Sequence, residues 1–217
     1  MSRYIRQLAV VFIGLLIVLI PIKAEASPTP TLNQTINDGT LSTDIFQSGD
    51  VTPVAAPTVS FTPVNESFSC QTSSATLGDS NNLINVTNLN TQGSHSGWTL
   101  TIAATGGDTA TWSDGSGHSF SYNNSAGSGC TGGQLTVNPS TATITDDCNS
   151  VCNNTNVSLG SSTALSSPST DSATLMVDST YTPWEGYVTG ISMSQKIPAE
   201  QYAASYSLPM TITVTAN

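Results

Sequence analysis

Apolar and polar residues alternate one by one over several stretches of this chain, and after residue 26 no long segment follows a 3.6-residue period. Successive side chains of a strand point to opposite faces, whereas a helix returns its apolar face every three to four residues, so the pattern predicts strands. The clearest case is the run 98–104. Trp98, Leu100, Ile102 and Ala104 fall on one side, Thr99, Thr101 and Ala103 on the other, and glycines stand beyond both ends. It reads as a half-buried central strand with Trp98 and Leu100 in the core. Residues 83–88, 173–177, 187–193 and 208–214 alternate in the same way, with Ala173, Leu175 and Val177 sharing one face. Shorter strand-like runs lie at 40–46, 58–61, 67–71, 134–137, 141–145 and 157–159. The segments 109–112 and 118–122 flank Ser113-Asp114-Gly115-Ser116-Gly117, which predicts a hairpin. One helical turn is expected over 197–202, with Pro198 near its start. Short strands at this spacing, joined by polar turns, predict an all-β fold: a β-sandwich of immunoglobulin-like or jelly-roll-like kind after an N-terminal signal helix.

The N-terminus alters the domain plan. Arg3 and Arg6 precede an apolar run over 8–20, Pro21 breaks it, and Ala24-Glu25-Ala26 offers small residues at a cleavage site. This is the layout of a secretory signal peptide over 1–26, with an uncleaved membrane anchor as the alternative. Residues 27–35 read as an extended Pro/Thr-rich leader and 36–217 as a single β-sandwich domain.

Charge then narrows the partners. Three of the four basic residues and one of the fourteen acidic ones lie in the first 26 positions, leaving thirteen carboxylates against Lys196 alone, a net charge of −12. One cation cannot neutralise a phosphate backbone, which excludes nucleic acid as a partner. The same argument excludes an anionic membrane surface, so a membrane is met only through the signal segment if that segment is uncleaved. Cys70, Cys130, Cys148 and Cys152 form an even set in an exported chain, which points to disulfides. Of the three possible pairings, spacing favours Cys148–Cys152 and Cys70–Cys130; zinc binding with His95 and His118 is the rival.

Candidate chemistry is sparse. Asp108 with Asp114, and Asp146 with Asp147, lie on turns and supply the oxygen ligands calcium takes, although aspartate is also an ordinary turn residue. No other cofactor is expected. Ser94-His95-Ser96 lacks the Gly-x-Ser-x-Gly elbow of a hydrolase. Glu66, Glu185 and Glu200 lie on separate connections, and no carboxylate pair stands out for sugar hydrolysis. The chain therefore reads as a non-enzyme. Trp98, Trp112, Trp184, Tyr181 and Tyr187 offer either core packing or a sugar-stacking platform. Trp184, after Pro183 and before Glu185-Gly186, reads as an exposed loop residue, which makes Trp184, Tyr181 and Tyr187 the candidate ligand-binding set. Six Asn-x-Ser/Thr triplets, at Asn33, Asn65, Asn85, Asn123, Asn153 and Asn156, mark surface loops.

Gly97-Trp98-Thr99-Leu100 is similar to the W-x-L signature of WxL-domain cell-surface proteins. Asn37-Asp38-Gly39-Thr40-Leu41-Ser42 resembles the start of such domains, and the run from Ile197-Pro198-Ala199 through Tyr206 to Val214 resembles their ending. Thr211-Ile212-Thr213-Val214 stands where a second Trp-x-Leu would be. The resemblance implies an exported bacterial β-sandwich held non-covalently at the cell envelope, with peptidoglycan as the family's proposed ligand and a cell-wall polymer or other surface proteins as partners. The ending is also similar to spore-coat-U-like and fimbrial subunits, which implies a structural subunit assembled by strand addition. A calcium-dependent carbohydrate-binding module is a third reading.

Overall fold

The computed structural model describes residues 34, 39–49, 52–89, 96–124, 131–148, 152, 154–180 and 182–217. The signal segment and leader expected over 1–35 lie outside the described residues apart from Gln34. Alternation becomes strand along most of the rest. In chain order these are β1 (Leu41–Phe46), β2 (Gln71–Leu77), β3 (Leu83–Asn88), β4 (Trp98–Ala104), β5 (Thr111–Ser113), β6 (Ser119–Ser121) and β7 (Gln134–Asn138). There follow β8 (Thr143–Asp146), β9 (Val157–Leu159), β10 (Thr163–Ala164), β11 (Ser172–Asp178), β12 (Trp184–Thr189), β13 (Ile191–Ile197) and β14 (Met210–Ala216).

The protein is all-β, a β-sandwich. Three four-stranded antiparallel sheets, in the orders β1-β3-β12-β8, β10-β7-β13-β2 and β14-β4-β11-β9, turn their apolar faces to a common core, and β5 and β6 form a separate hairpin. The strand 98–104 is central, as expected. It pairs with β14 on one side and β11 on the other, and Trp98, Leu100, Ile102 and Ala104 are all buried. Burial of these side chains stabilises the sandwich by about 1.5–3 kcal/mol each for the large ones. The Trp98 ring meets the Trp184 ring at a centroid distance of 5.5 Å, which joins β4 to β12 across the core.

Three details depart from simple alternation. In β11 the register slips between Thr174 and Met176, so Leu175 is an extra residue with no partner on β4. Leu175 and Met176 are therefore both buried, Val177 moves to the other face, and the Asp178 carboxylate turns inward, where it accepts from the Thr180 backbone N–H and hydroxyl. This is a β-bulge, and it ends the shared face expected of Ala173, Leu175 and Val177. Second, the run 187–193 is two strands. Gly190, at φ +80°, turns the chain out of the first sheet and into the second. Third, the helical turn expected over 197–202 is an irregular turn with Glu200 at φ 59°.

The Cys148–Cys152 disulfide is present, with Cα atoms 5.6 Å apart, beside the Glu185 backbone of β12. Cys70 is disulfide-bonded as well, and Cys130 lies outside the described residues. Among the described residues, several buried polar side chains bond to backbone carbonyls. Asn88 donates to Thr182 O, Asn123 to Asp108 O and Ser73 to Thr62 O.

Candidate functional site

The predicted ligand set does not assemble. Trp184 is a core residue, 2% exposed, and its indole N–H donates to Asn154 Oδ1. The reason is register. β12 begins at Trp184 itself, so Trp184, Gly186 and Val188 face inward, while Tyr187 lies on the opposite, outer face between Asn85 of β3 and Thr145 of β8. Tyr181 lies outside the described residues.

The acidic candidates are spread out. Asp108 sits in a 3-10 turn after β4, Asp114 in the β5–β6 loop, and Asp146 and Asp147 at the end of β8. No group of three or more His, Cys, Asp or Glu side chains among the described residues is placed to hold a metal ion. Asp114 is already engaged. Its carboxylate accepts from the backbone N–H groups of Ser116 and His118 and lies 2.6 Å from His118 Nδ1. The His118 side chain, then the Ser116 N–H, hold the Asp114 carboxyl below the ordinary carboxylate range. A carboxyl depressed on folding stabilises above its unfolded pKa. The loop is therefore fully braced at neutral pH and loses that bracing as the pH falls through the lowered value.

A different site emerges from three segments that are remote in sequence. The β5–β6 hairpin carries Trp112 and Phe120 directly opposite each other, with rings stacked at 6.0 Å and 16°. Phe61 meets the edge of Trp112 at 5.4 Å, and Tyr206 meets Phe120 at 5.1 Å. Backbone bonds lace the segments together. Ser113 and Ser207 exchange two, at 3.0 and 2.9 Å, and the Glu200 N–H donates to Ser67 O at 2.7 Å. The Tyr206 hydroxyl donates to Tyr202 O and accepts from Gln201 Nε2.

These segments enclose a groove of about 570 Å³, floored by Ser73 of β2 and Gln195 of β13. Trp112 is fixed from below: its N–H donates to Gln195 Oε1 at 2.8 Å, and Gln195 Nε2 donates to Lys196 O. Replacing Gln195 by leucine keeps the volume but strips the Trp112 N–H of this partner, so it is expected to cost about 1–3 kcal/mol. Urea unfolding reads this, and an unchanged midpoint would show that the bond to Trp112 contributes nothing.

The rim is apolar and exposed. Of the four large hydrophobic side chains exposed among the described residues, Val64 and Tyr202 line the groove, Phe68 stands between groove-lining Ser67 and Ser69, and only Leu89 lies elsewhere. Tyr202 is 56% exposed and its ring lies flat on that of His118, at 3.9 Å and 7°. Among the described residues, Glu66 is the single charged side chain on the lining.

The sequence singles out Trp112 but does not link Phe61, Phe120, Tyr202 or Tyr206 to it as companions. One signal was available: Trp112 and Phe120 stand on the two arms of the predicted hairpin at an even separation, which places them on one face. A second, apolar cleft of about 730 Å³ is lined by residues of β1 and β14, with Ile45, Phe61, Ile102, Met210 and Ile212 among its walls. Comparison with known proteins finds no family model, no curated protein and no solved structure that matches the chain.

Proposed function

We propose that this is an exported, non-enzymatic cell-surface protein of a bacterium that attaches to or interacts with the envelope by holding a surface polymer, such as peptidoglycan, in the aromatic groove. The observation that carries the reading is the concentration of exposed apolar side chains at one concave site. Exposed rings beside polar groups suit a sugar, because apolar C–H groups pack on the ring face while hydroxyls reach the amides around it. The acidic charge and the signal-like N-terminus fit export and exclude nucleic acid.

Sedimentation with purified cell walls tests this. The protein is expected in the pellet. Tyr202→Ala removes an exposed ring and is expected to weaken binding about 3- to 10-fold, the worth of roughly one aromatic contact. Its Tm should move by no more than about 1–2 °C, as for surface substitutions. Wild-type protein that stays in the supernatant would refute the reading.

The apolar cleft between β1 and β14 favours a second reading, a structural subunit that accepts a strand from a neighbour. Concentration-dependent large species in size-exclusion chromatography would support it, and a strict monomer would count against it.

A further inference from the structure

Sedimentation on whole walls would not say which wall component the groove holds. Bacterial envelopes present two chemistries, sugar chains with few acidic groups and polyanions rich in phosphate or carboxylate. Charge separates them. After residue 26 the chain has thirteen carboxylates and one lysine, Lys196, and alternation along β13 places that lysine on the face opposite Gln195, away from the groove floor. Among the described residues, the groove lining has no cation to meet a phosphate, and its one charged side chain, Glu66, repels it.

The other polar groups on the lining are amides and hydroxyls. Asn65, Gln71 and Gln201 each combine donor and acceptor in one plane, which matches neighbouring sugar hydroxyls. A peptide strand would need a free sheet edge. The β2 edge beside the groove is already covered by the 58–62 segment, through Thr62 N–H to Ser74 O at 2.8 Å and Ser73 Oγ to Thr62 O. Rings and amides are therefore what the groove offers.

We infer that the groove selects an uncharged glycan chain and rejects polyanions, with Glu66 at the rim as a specificity-determining residue. This rests on the polymer-binding reading above and names the ligand class for the same site.

The test compares intact cell walls with walls stripped of phosphate polymers by hydrofluoric acid, using the exported chain, with a hexamer of N-acetylglucosamine and inorganic polyphosphate as soluble probes. Stripped walls are expected to bind at least as much protein as intact ones. Binding to intact walls should rise as salt screens the repulsion from about 20 to 300 mM. The neutral hexamer should compete and polyphosphate should not. Glu66→Lys, at an exposed position, should gain at least threefold in polyphosphate binding at about 20 mM salt, and the gain should vanish at about 300 mM.

Binding to intact walls that disappears on stripping would overturn the inference and leave envelope attachment standing. Loss of binding after protease treatment of stripped walls, with no competition by the hexamer, would overturn it in favour of a peptide. A Glu66→Lys protein that still ignores polyphosphate would overturn the role given to Glu66. Absence of binding to either wall preparation would refute the attachment reading itself.

Discussion

Trp98→Ala is expected to cost about 3–5 kcal/mol of folding stability, the range for large aromatic side chains in a core. Trp98 is 1% exposed, heads the central strand β4, and packs against Trp184 across the interior. Alanine would leave a void in a core where voids do not collapse fully, and would remove an aromatic pair worth about 0.5–1.5 kcal/mol beyond its area. Against the usual total of about 5–15 kcal/mol, such a loss takes a large share of the stability. The Trp98 indole N–H is the one buried side-chain nitrogen or oxygen among the described residues that has no hydrogen-bond partner. Trp98→Phe therefore sacrifices no hydrogen bond and should fall well short of the alanine cost. Denaturant unfolding of the two variants decides. Equal midpoints for alanine and wild type, together with lost wall binding, would make Trp98 a contact residue and not a core one.

The second large effect belongs to the residue before it. Gly97→Ala is expected to cost about 2–5 kcal/mol, from a backbone conformation closed to L-residues and from overlap with a neighbouring strand. Gly97 has φ +147°, and a Cβ built there would collide with the Asp178 backbone carbonyl oxygen at the end of β11. The collision is with main chain, so no side-chain rotation relieves it. The Gly97 carbonyl also accepts from the Asn217 N–H at 2.9 Å, so a shift would reach β14 as well. Because Trp98 follows directly, the variant's near-ultraviolet circular dichroism should lose intensity along with its Tm. Wild-type values for both would show that the chain passes Asp178 with more room than these contacts allow.

What was legible in the sequence was local periodicity. Trp98, Leu100, Ile102 and Ala104 are buried where alternation puts them, the hairpin around Asp114 forms, and the nearest pair of cysteines closes a disulfide. Errors arose where local pattern and tertiary structure part. Trp184 reads as a loop residue because Pro183 precedes it and Gly186 interrupts the apolar face. A Cβ at Gly186 would collide first with the Thr145 carbonyl oxygen of β8 and then with the Trp184 ring, so only glycine fits there. The small residue that the packing requires is the one that blurs the period. Gly190 hides a change of sheet within one alternating run. The groove was invisible for another reason. Phe61, Phe120, Tyr202 and Tyr206 come from three segments joined by long-range backbone bonds, and no one-dimensional spacing links them.

The bulge in β11 bears on how this chain tolerates changes in length. Deleting a residue from a central strand normally throws every later side chain onto the wrong face. At Leu175 it would not. Thr174 pairs with Thr101 and Met176 with Leu100, which are neighbours on β4, so the ladder is continuous without the residue between them. To the sheet, a one-codon deletion at Leu175 is close to a large-to-small core substitution plus the loss of the Gly160 N–H to Leu175 O bond, with the reading frame of faces preserved on both sides. The same deletion one strand over, in β4, would expose Trp98 or bury a row of threonines.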